Sequence, residues 1–293
     1  MTDSAGSSVP RRQLGRLLKE AREKAGVSVP AAASEIEVGR SKIYRIEAGE
    51  APLKKVEVLA LARLFQVDSI MTDVLVALAA ETKAQGWWAS FDGAMPDWFE
   101  LYVSLEAAAS ELRQYDPVIV PGLLQTKEYA AAVFRTNPDH SEEKVARLVS
   151  LRMQRQRLLA RRVPRPPALD VILDESVLRR PIADRAGMRG QLLHLAEASD
   201  AKNVHVRVLP MTVGPHRASQ SGPFVILDFR AEEARPAEPT TVYSEGLTGA
   251  LYLDKPAEVE TYEGVWNALD DLVLDVEGSK ELMITLAKEH DDA

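Results

Sequence analysis

Residues 27–49 constrain the fold of this chain more than any other segment, because two short helical patterns flank a turn there. Ser28 is positioned to N-cap the first helix, since its hydroxyl can accept from the free amides of the first turn. Pro30 in that turn costs no hydrogen bond, because its missing N–H would have had no helical partner. The turn falls at 38–39, and a second helix is predicted over 40–48, stopped by a glycine.

The second of these helices has two chemically different faces. At about 100° per residue, Ile43 and Ile46 point the same way, into the domain. The other side displays donors and cations, namely Arg40, Ser41, Lys42, Tyr44 and Arg45. An exposed face of this chemistry on the second helix of such a pair is what reading a major groove requires. The segment therefore predicts a helix-turn-helix that binds double-stranded DNA.

Apolar residues with helical spacing lie on both sides of this segment. The first helix is predicted to end near Gly26, and its inner face contains Leu14, Leu17, Leu18 and Ala21. The helix after the motif is predicted to have an apolar stripe of Val56, Leu59, Ala60 and Leu64. Lys54 and Lys55 precede that stripe and are candidate contacts to the DNA backbone, as is Ser28. We expect a mainly α domain of four to five helices over residues 10–70.

The apolar and glycine positions of this domain resemble those of the lambda-repressor-like, XRE-type DNA-binding family. Val29 stands where the family often has a phosphate- or base-contacting glutamine. Pro30 occupies a position that is usually acidic, and Glu37 replaces a glycine that is common in the turn. These departures concern the expected phosphate contacts and leave the predicted fold unchanged.

Charge is distributed unevenly along the chain. Residues 1–70 contain twelve Lys/Arg and nine Asp/Glu, a net charge of +3, whereas the whole chain has −8 and the remainder therefore −11. A cationic first quarter in an acidic protein is typical of a DNA-binding domain joined to an acidic appendage.

Length and composition limit the remaining possibilities. A chain of 293 residues, 46% apolar and 27% charged, is expected to form two globular domains. Cysteine is absent, which excludes disulfides, thiol catalysis and thiolate metal sites. No apolar run approaches the roughly 18–20 residues that span a bilayer, and residues 1–9 are expected to form a flexible tail without a signal-peptide core. We expect a cytoplasmic, nucleoid-associated protein with no membrane contact.

The segment after residue 70 is predicted to be helical first. A linker over 71–95 contains a connecting helix at 72–86, and a long helix from Asp97 ends at Tyr115-Asp116-Pro117, since the residue before a proline disfavours the α region. A short helix capped by Thr126 follows. A strongly basic helix then spans 141–162.

From Leu169 onward the pattern changes to short strands. They are predicted at 171–173, 204–209, 224–229, 241–244 and 250–253. A helix over 187–199 separates the first two strands, and two helices finish the chain. We expect an α+β carboxy-terminal domain over 96–293, with a helical layer at 96–165 and, at 168–293, a small sheet that is mostly antiparallel or mixed.

Several strings of this second part resemble the large carboxy-terminal domain of WhiJ-type regulators, actinobacterial XRE-family proteins often described as antitoxin-like. The matching strings are Tyr115-Asp116-Pro117, the heptapeptide VPGLLQT at 120–126, Tyr129-Ala130, and Gln191-Leu192 followed by Leu209-Pro210. The resemblance extends from about residue 11 to 285. It implies a transcriptional regulator paired with a small protein encoded beside it.

Motifs for catalysis or metal binding are weak by comparison. The five histidines are scattered, at 140, 194, 205, 216 and 290, and neither an HExxH motif nor a Gly-rich phosphate loop is present. Acidic residues near strand ends would hold Mg²⁺ if their strands were neighbours, although such acids are usually just solvated; they are Asp170, Asp174, Glu175, Asp228, Glu245 and Asp254. We expect no catalytic residue, no cofactor and no metal, and no enzymatic activity.

Two other clusters each admit two interpretations. Eight Lys/Arg between Lys144 and Arg165 either contact phosphates beside the operator or pair with acids of their own domain, and they include Arg152, Arg155, Arg157, Arg161 and Arg162. An aromatic cluster either packs internally or lines a ligand pocket or partner groove, and it consists of Trp87, Trp88, Phe91, Trp98, Phe99 and Tyr102.

The predicted function is sequence-specific transcriptional regulation. One short helix buries little surface, so we expect a homodimer on a pseudo-palindromic operator with half-sites about 34 Å apart. The second domain is expected to provide dimerisation and a docking surface for the small partner protein. A small-molecule sensor is the alternative, and a hydrolase or toxin-like enzyme is less supported because no nucleophile–base pair is evident.

Overall fold

The computed structural model describes residues 9–82, 97–231 and 237–290. These residues fall into two compact units. The first contains the six helices up to Ala108 together with the described part of the segment 231–238, and the second contains all other elements.

The first unit is helical, as predicted. Its helices are α1 (Val9–Lys24), α2 (Val29–Glu35), α3 (Arg40–Glu47), α4 (Lys55–Leu64), α5 (Ser69–Glu81) and α6 (Asp97–Ala108). One apolar core joins α1 to α5, and Leu14, Ile43, Val58 and Leu75 are among its most buried members. Because α5 contributes Leu75 to that core, the described part of the predicted connecting helix belongs to the helical unit.

The predicted apolar stripe of α4 was wrong. Val56 is 69% exposed, whereas Val58, Leu61 and Phe65 are buried and form the inner face. The segment is apolar on nearly every side, so helical periodicity alone cannot select the buried face. Packing on the rest of the core decides it.

The second unit is built on a six-stranded mixed sheet. Its strands are β1 (Glu111–Asp116), β2 (Ala168–Asp174), β3 (Val204–Leu209), β4 (Phe224–Asp228), β5 (Thr241–Gly246) and β6 (Gly249–Leu253). Their order is β3-β2-β1-β4-β5-β6, with parallel pairing among β1, β2 and β3 and antiparallel pairing from β1 to β6. All five predicted strands are present, and the α+β class is confirmed.

Strand β1 is the element that the sequence pattern missed. The predicted helix from Asp97 to Tyr115 ends at Ala108, and the chain enters the centre of the sheet at Glu111. Leu112 lies opposite Leu169 on one side and Leu227 on the other, and it is buried. These partners are distant in sequence, so tertiary pairing overrides the local helical periodicity.

Helices pack around this sheet. They are α7 (Lys127–Arg135), α8 (Glu142–Gln156), α9 (Glu175–Arg179), α10 (Arg185–Ala198), α11 (Pro256–Asp270) and α12 (Val276–Glu289). The cap at Thr126 is confirmed, since its hydroxyl accepts from Tyr129 N–H at 3.2 Å. The basic helix is shorter than predicted, because it ends at Gln156 and a 3₁₀ turn follows over Arg157–Ala160.

The string VPGLLQT forms a loop that buried side-chain amides hold in place. Gln191 accepts from Thr126 N–H and donates to Leu124 C=O, both at 2.7 Å. Gln125 donates to Val120 C=O at 2.6 Å, and both glutamines are 1% exposed. The string therefore serves the fold, because each amide satisfies backbone groups that have left regular secondary structure.

Two arginines of the basic helix face their own unit. Arg155 is buried, and the Arg152 guanidinium lies 4.3 Å from the centre of the Phe134 ring and donates to Gln125. These contacts favour the structural interpretation for Arg152 and Arg155. Arg157 and Arg162 are exposed, and their role stays open.

Asp116 closes β1 with a buried carboxylate. Its Oδ1 accepts from the N–H groups of Val118 and Ile119 at 3.0 and 3.1 Å. Burial nevertheless raises the pKa of Asp116 to about 6, against the opposing effect of these two hydrogen bonds. Since the folded state binds this proton more tightly than the unfolded state, this carboxyl lowers stability as the pH rises from about 4 to about 6.

We predict that Asp116→Asn stabilises the protein at neutral pH. The amide oxygen still accepts from the two N–H groups but carries no charge to desolvate, so the variant should gain about 2–3 kcal/mol at pH 7.5. The gain should vanish near pH 4, where Asp116 is protonated in both states. Urea unfolding at a series of pH values measures this, with the exposed β1 residue Glu111→Gln as control. A difference between Asp116→Asn and the parent that is independent of pH would contradict the argument.

Candidate nucleic-acid interface

The α2–turn–α3 segment has the predicted helix-turn-helix geometry. The Ser28 hydroxyl accepts from Ala31 N–H at 3.3 Å, which confirms the cap. Helix α3 ends at Glu47, and Gly49 terminates the segment with φ +73°. In the turn, Glu37 has φ +53°, the left-handed conformation that favours glycine. The family's usual glycine at this position thus has a backbone reason.

Helix α3 separates apolar and polar side chains as predicted. Ile43 and Ile46 are each 2% exposed, whereas Tyr44 is 60% exposed. Arg40, Ser41 and Arg45 are exposed as well. An aromatic ring displayed to this extent next to two guanidinium groups lacks a structural purpose in the described core.

Lys42 differs from the other predicted contacts. It is half-buried, and its Nζ lies 3.5 Å from Glu57 Oε1 in the first turn of α4. Glu57 also accepts from the Lys54 backbone N–H at 2.6 Å, which fixes the start of α4. The charge of Lys42 is therefore partly offset, whereas the side chains of Lys54 and Lys55 are exposed. Of the eight predicted DNA-binding residues, Lys42 is the one that is not fully exposed.

Backbone contact fixes the position of α3 on α1. A Cβ at Gly15 would lie 2.3 Å from the Ile46 carbonyl oxygen and 2.9 Å from that of Glu47. A Cβ at Gly49 would lie 2.6 Å from Arg12 Cα. The two helices thus approach so closely that no side chain fits between them. Sequence reasoning missed Gly15, although a glycine inside an otherwise regular amphipathic helix is a usable signal.

An ion pair fastens the same two helices at their other point of contact. Arg22 Nε and Nη2 lie 2.6 and 3.0 Å from the two carboxylate oxygens of Glu47. The hydrogen bond to Glu47 raises the pKa of the Arg22 guanidinium. Both side chains are nearly buried, so the acid at the end of α3 is neutralised and does not oppose the approach of phosphate.

The other sites weighed from sequence have structural partners. Asp170 pairs with Arg207 at 3.0 Å, and Asp228 pairs with Arg113 at 2.9 Å. Within the described ranges, no group of three or more His, Cys, Asp or Glu is arranged to hold a metal ion. The aromatic residues Trp87, Trp88 and Phe91 lie outside the described residues.

We predict that Gly15→Ala destabilises the helical unit. The new methyl group meets the Ile46 carbonyl oxygen, so α1 and α3 must separate, at a cost of about 1–3 kcal/mol. Calorimetric unfolding measures the loss. Gly190→Ala in α10 is the matched control, because nothing lies within 4 Å of its Cβ position and the change should stabilise by about 0.5–1 kcal/mol. Equal effects of the two alanines would refute the close approach.

We also predict that Glu37→Gly stabilises the protein. Glycine removes the left-handed strain and loses more chain entropy on folding, for a net gain of about 1 kcal/mol. Ala31→Gly, an exposed change inside α2, should cost about 1 kcal/mol instead. Calorimetry of both variants checks the opposite signs, and a loss at position 37 would show that Glu37 makes a compensating contact.

No helix among residues 9–82, 97–231 and 237–290 combines the length and apolarity needed to cross a membrane.

Comparison with known families agrees with this geometry. A helix-turn-helix domain model matches residues 13–75, and this match indicates a DNA-binding regulator. A model described as a domain of unknown function (DUF5753) matches residues 99–284, more than half of the chain. Neither a curated protein nor a solved structure matches. The chain belongs to the DUF5753 family and places a helix-turn-helix domain before that region.

Proposed function

We propose that the protein is a sequence-specific transcriptional regulator that acts by binding DNA, not by catalysis. The observation that supports this most is the outward face of α3, where Tyr44 is 60% exposed beside Arg40, Ser41 and Arg45. These side chains lie on the second helix of a motif whose inward isoleucines are buried. Exposed donors on that helix match the chemistry of base edges in a major groove.

Each exposed residue of α3 has a role that its chemistry allows. Arg40 and Arg45 are suited to bidentate hydrogen bonds with O6 and N7 of guanine, each worth about 1–3 kcal/mol of discrimination. Ser41 can donate to or accept from either kind of base pair. The Tyr44 ring offers an apolar surface for a thymine methyl group, and its hydroxyl can reach a phosphate.

Phosphate contacts come from the residues that flank α3. Lys54 and Lys55 at the start of α4 are exposed cations, and the Ser28 hydroxyl, while it accepts from the α2 amide, keeps its own proton to donate. Lys42 joins them only by exchanging its contact with Glu57 for a phosphate. Val29 is buried, so the position where the XRE family often has glutamine provides no donor.

A single α3 reads too few base pairs for an operator to be found in a genome. We therefore propose a homodimer on a pseudo-palindromic site, with half-sites about one helical turn apart. The resemblance to WhiJ-type regulators further suggests that the DUF5753 region docks a small protein encoded nearby. Such a partner regulates only if it binds the DNA-competent and DNA-incompetent states with different affinities.

The proposed division of labour predicts different effects for two substitutions. Arg45→Ala should relax preference at one base position per half-site, by about 1–3 kcal/mol. Lys54→Ala should weaken binding to all sequences alike and reduce the salt slope by about 1. Selection from a random DNA library with the full chain, followed by titration at several salt concentrations, measures both. Lys19→Ala, an exposed lysine of α1, is the control. Failure of the parent chain to enrich any sequence would overturn the proposed function.

A further inference from the structure

The two edges of the sheet in the second unit are treated differently. At the β3 edge, Val208 N–H donates to Ser279 Oγ at 2.9 Å, and Val208 C=O accepts from Leu274 N–H at 2.9 Å. The chain entering α12 therefore satisfies backbone groups of that edge. Strand β6 forms the other edge, and in the part of the chain that the structure describes no strand pairs beyond it.

Strand β6 lacks the usual protection of an edge strand. Natural edge strands carry charges, proline or bulges that prevent pairing with another chain. Residues 249–253 read GALYL, with no ionisable side chain and no proline, and their register with β5 is unbroken. Leu251 is 56% exposed in the strand, and Leu247 at the hairpin tip is fully exposed. An apolar edge of this kind needs a partner strand.

The hairpin geometry defines which backbone groups face outward. Gly246 and Gly249 flank a two-residue loop and form the first pair, and Leu251 pairs with Ser244 two positions further. Residues that flank such a loop exchange hydrogen bonds, and hydrogen-bonded pairs alternate along an antiparallel ladder. Ala250 and Tyr252 therefore direct their N–H and C=O groups to the free side of β6.

We infer that β6 pairs antiparallel with β6 of a second copy of this chain, about a two-fold axis at Leu251. In this register Ala250 of each copy lies opposite Tyr252 of the other, and both pairs exchange two hydrogen bonds through the outward groups. Leu251 meets its own copy in a non-hydrogen-bonded pair, the arrangement in which side chains come closest, with Cα atoms about 4.5 Å apart.

Side-chain chemistry fits a second copy as the occupant. Leu253 lies on the same face as Leu251, so the two copies together form one continuous apolar strip across the axis. The uncharged strand brings no like charges together. The first cation after it, Lys255, is exposed and lies opposite the other copy's hairpin tip, next to which Glu245 is exposed. Two-fold symmetry forms this complementary contact twice.

The inference deepens the proposed function and rests on it for its purpose, since a two-fold dimer supplies two copies of α3 for two half-sites. The dimer itself is measurable without DNA. The two ideas can therefore fail separately.

Cysteine substitution tests the register directly, because the chain has no cysteine. Leu251→Cys in the full chain should form a covalent dimer under mild oxidation, since disulfides need Cα atoms about 4.4–6.8 Å apart. Ala250→Cys is the matched control, because its own copy is displaced by two residues along the strand and lies out of reach. Mixing Ala250→Cys with Tyr252→Cys should restore crosslinking. Crosslinking at 250 alone that equals or exceeds that at 251 would overturn the register.

Sedimentation equilibrium tests the interface without crosslinks. Leu251→Lys places two ammonium groups opposite each other and should raise the dimer dissociation constant at least about tenfold. Ala250→Pro removes only an outward N–H and should act likewise. Ile70→Lys is the control, because Ile70 is an 80% exposed apolar residue of α5. Circular dichroism verifies that each variant is folded.

Each result has a defined meaning. A parent dimer that Leu251→Lys dissociates supports the inference. A parent chain that stays monomeric, or a dimer that tolerates both β6 variants, overturns it, including the case in which another segment or a different protein covers β6. If the β6 dimer forms but no DNA sequence is selected, the proposed function fails and the interface stands.

Discussion

The backbone contact between α1 and α3 is the constraint on which the candidate interface depends. Gly15 allows the Ile46 carbonyl to approach where any side chain would collide, and the Arg22–Glu47 pair fixes the same two helices at a second point. Two contacts hold a short helix against both translation and rotation, so its outward face is defined without DNA. Base readout needs such preorganisation, because a guanidinium group discriminates only when its geometry is fixed before binding.

Much of this interface could be predicted from the sequence because its signals are local. The Ser28 cap, the turn before Arg40 and the alternation of Ile43 and Ile46 with donors all fall within about two dozen residues. The contacts that place α3 are not local: Arg22 and Glu47 are 25 residues apart, and no short-range pattern links them. The offset of Lys42 by Glu57 escaped for the same reason.

The fold of the second unit shows the same division. Strands with alternating or continuous apolar residues, such as β3, were predicted with correct bounds, whereas β1 was taken as the end of a helix. Leu112 and Tyr115 fit helical spacing equally well, and only their partners in β2 and β4 make this segment a strand. The wrong face of α4 has a related cause, since an almost wholly apolar helix gives no local indication of its buried side.

The heptapeptide VPGLLQT illustrates how a recognisable string and a functional surface can differ. Its backbone is held by Gln125 and Gln191, which are almost fully buried and fully used in hydrogen bonds to the loop. A ligand could engage these amides only by leaving backbone groups unsatisfied, at about 1–3 kcal/mol for each group. The string therefore identifies a fold, and the activity of this unit has to reside on exposed surfaces. Among those described, the β6 edge combines unpaired backbone groups with exposed leucines, which is the combination that binds another strand.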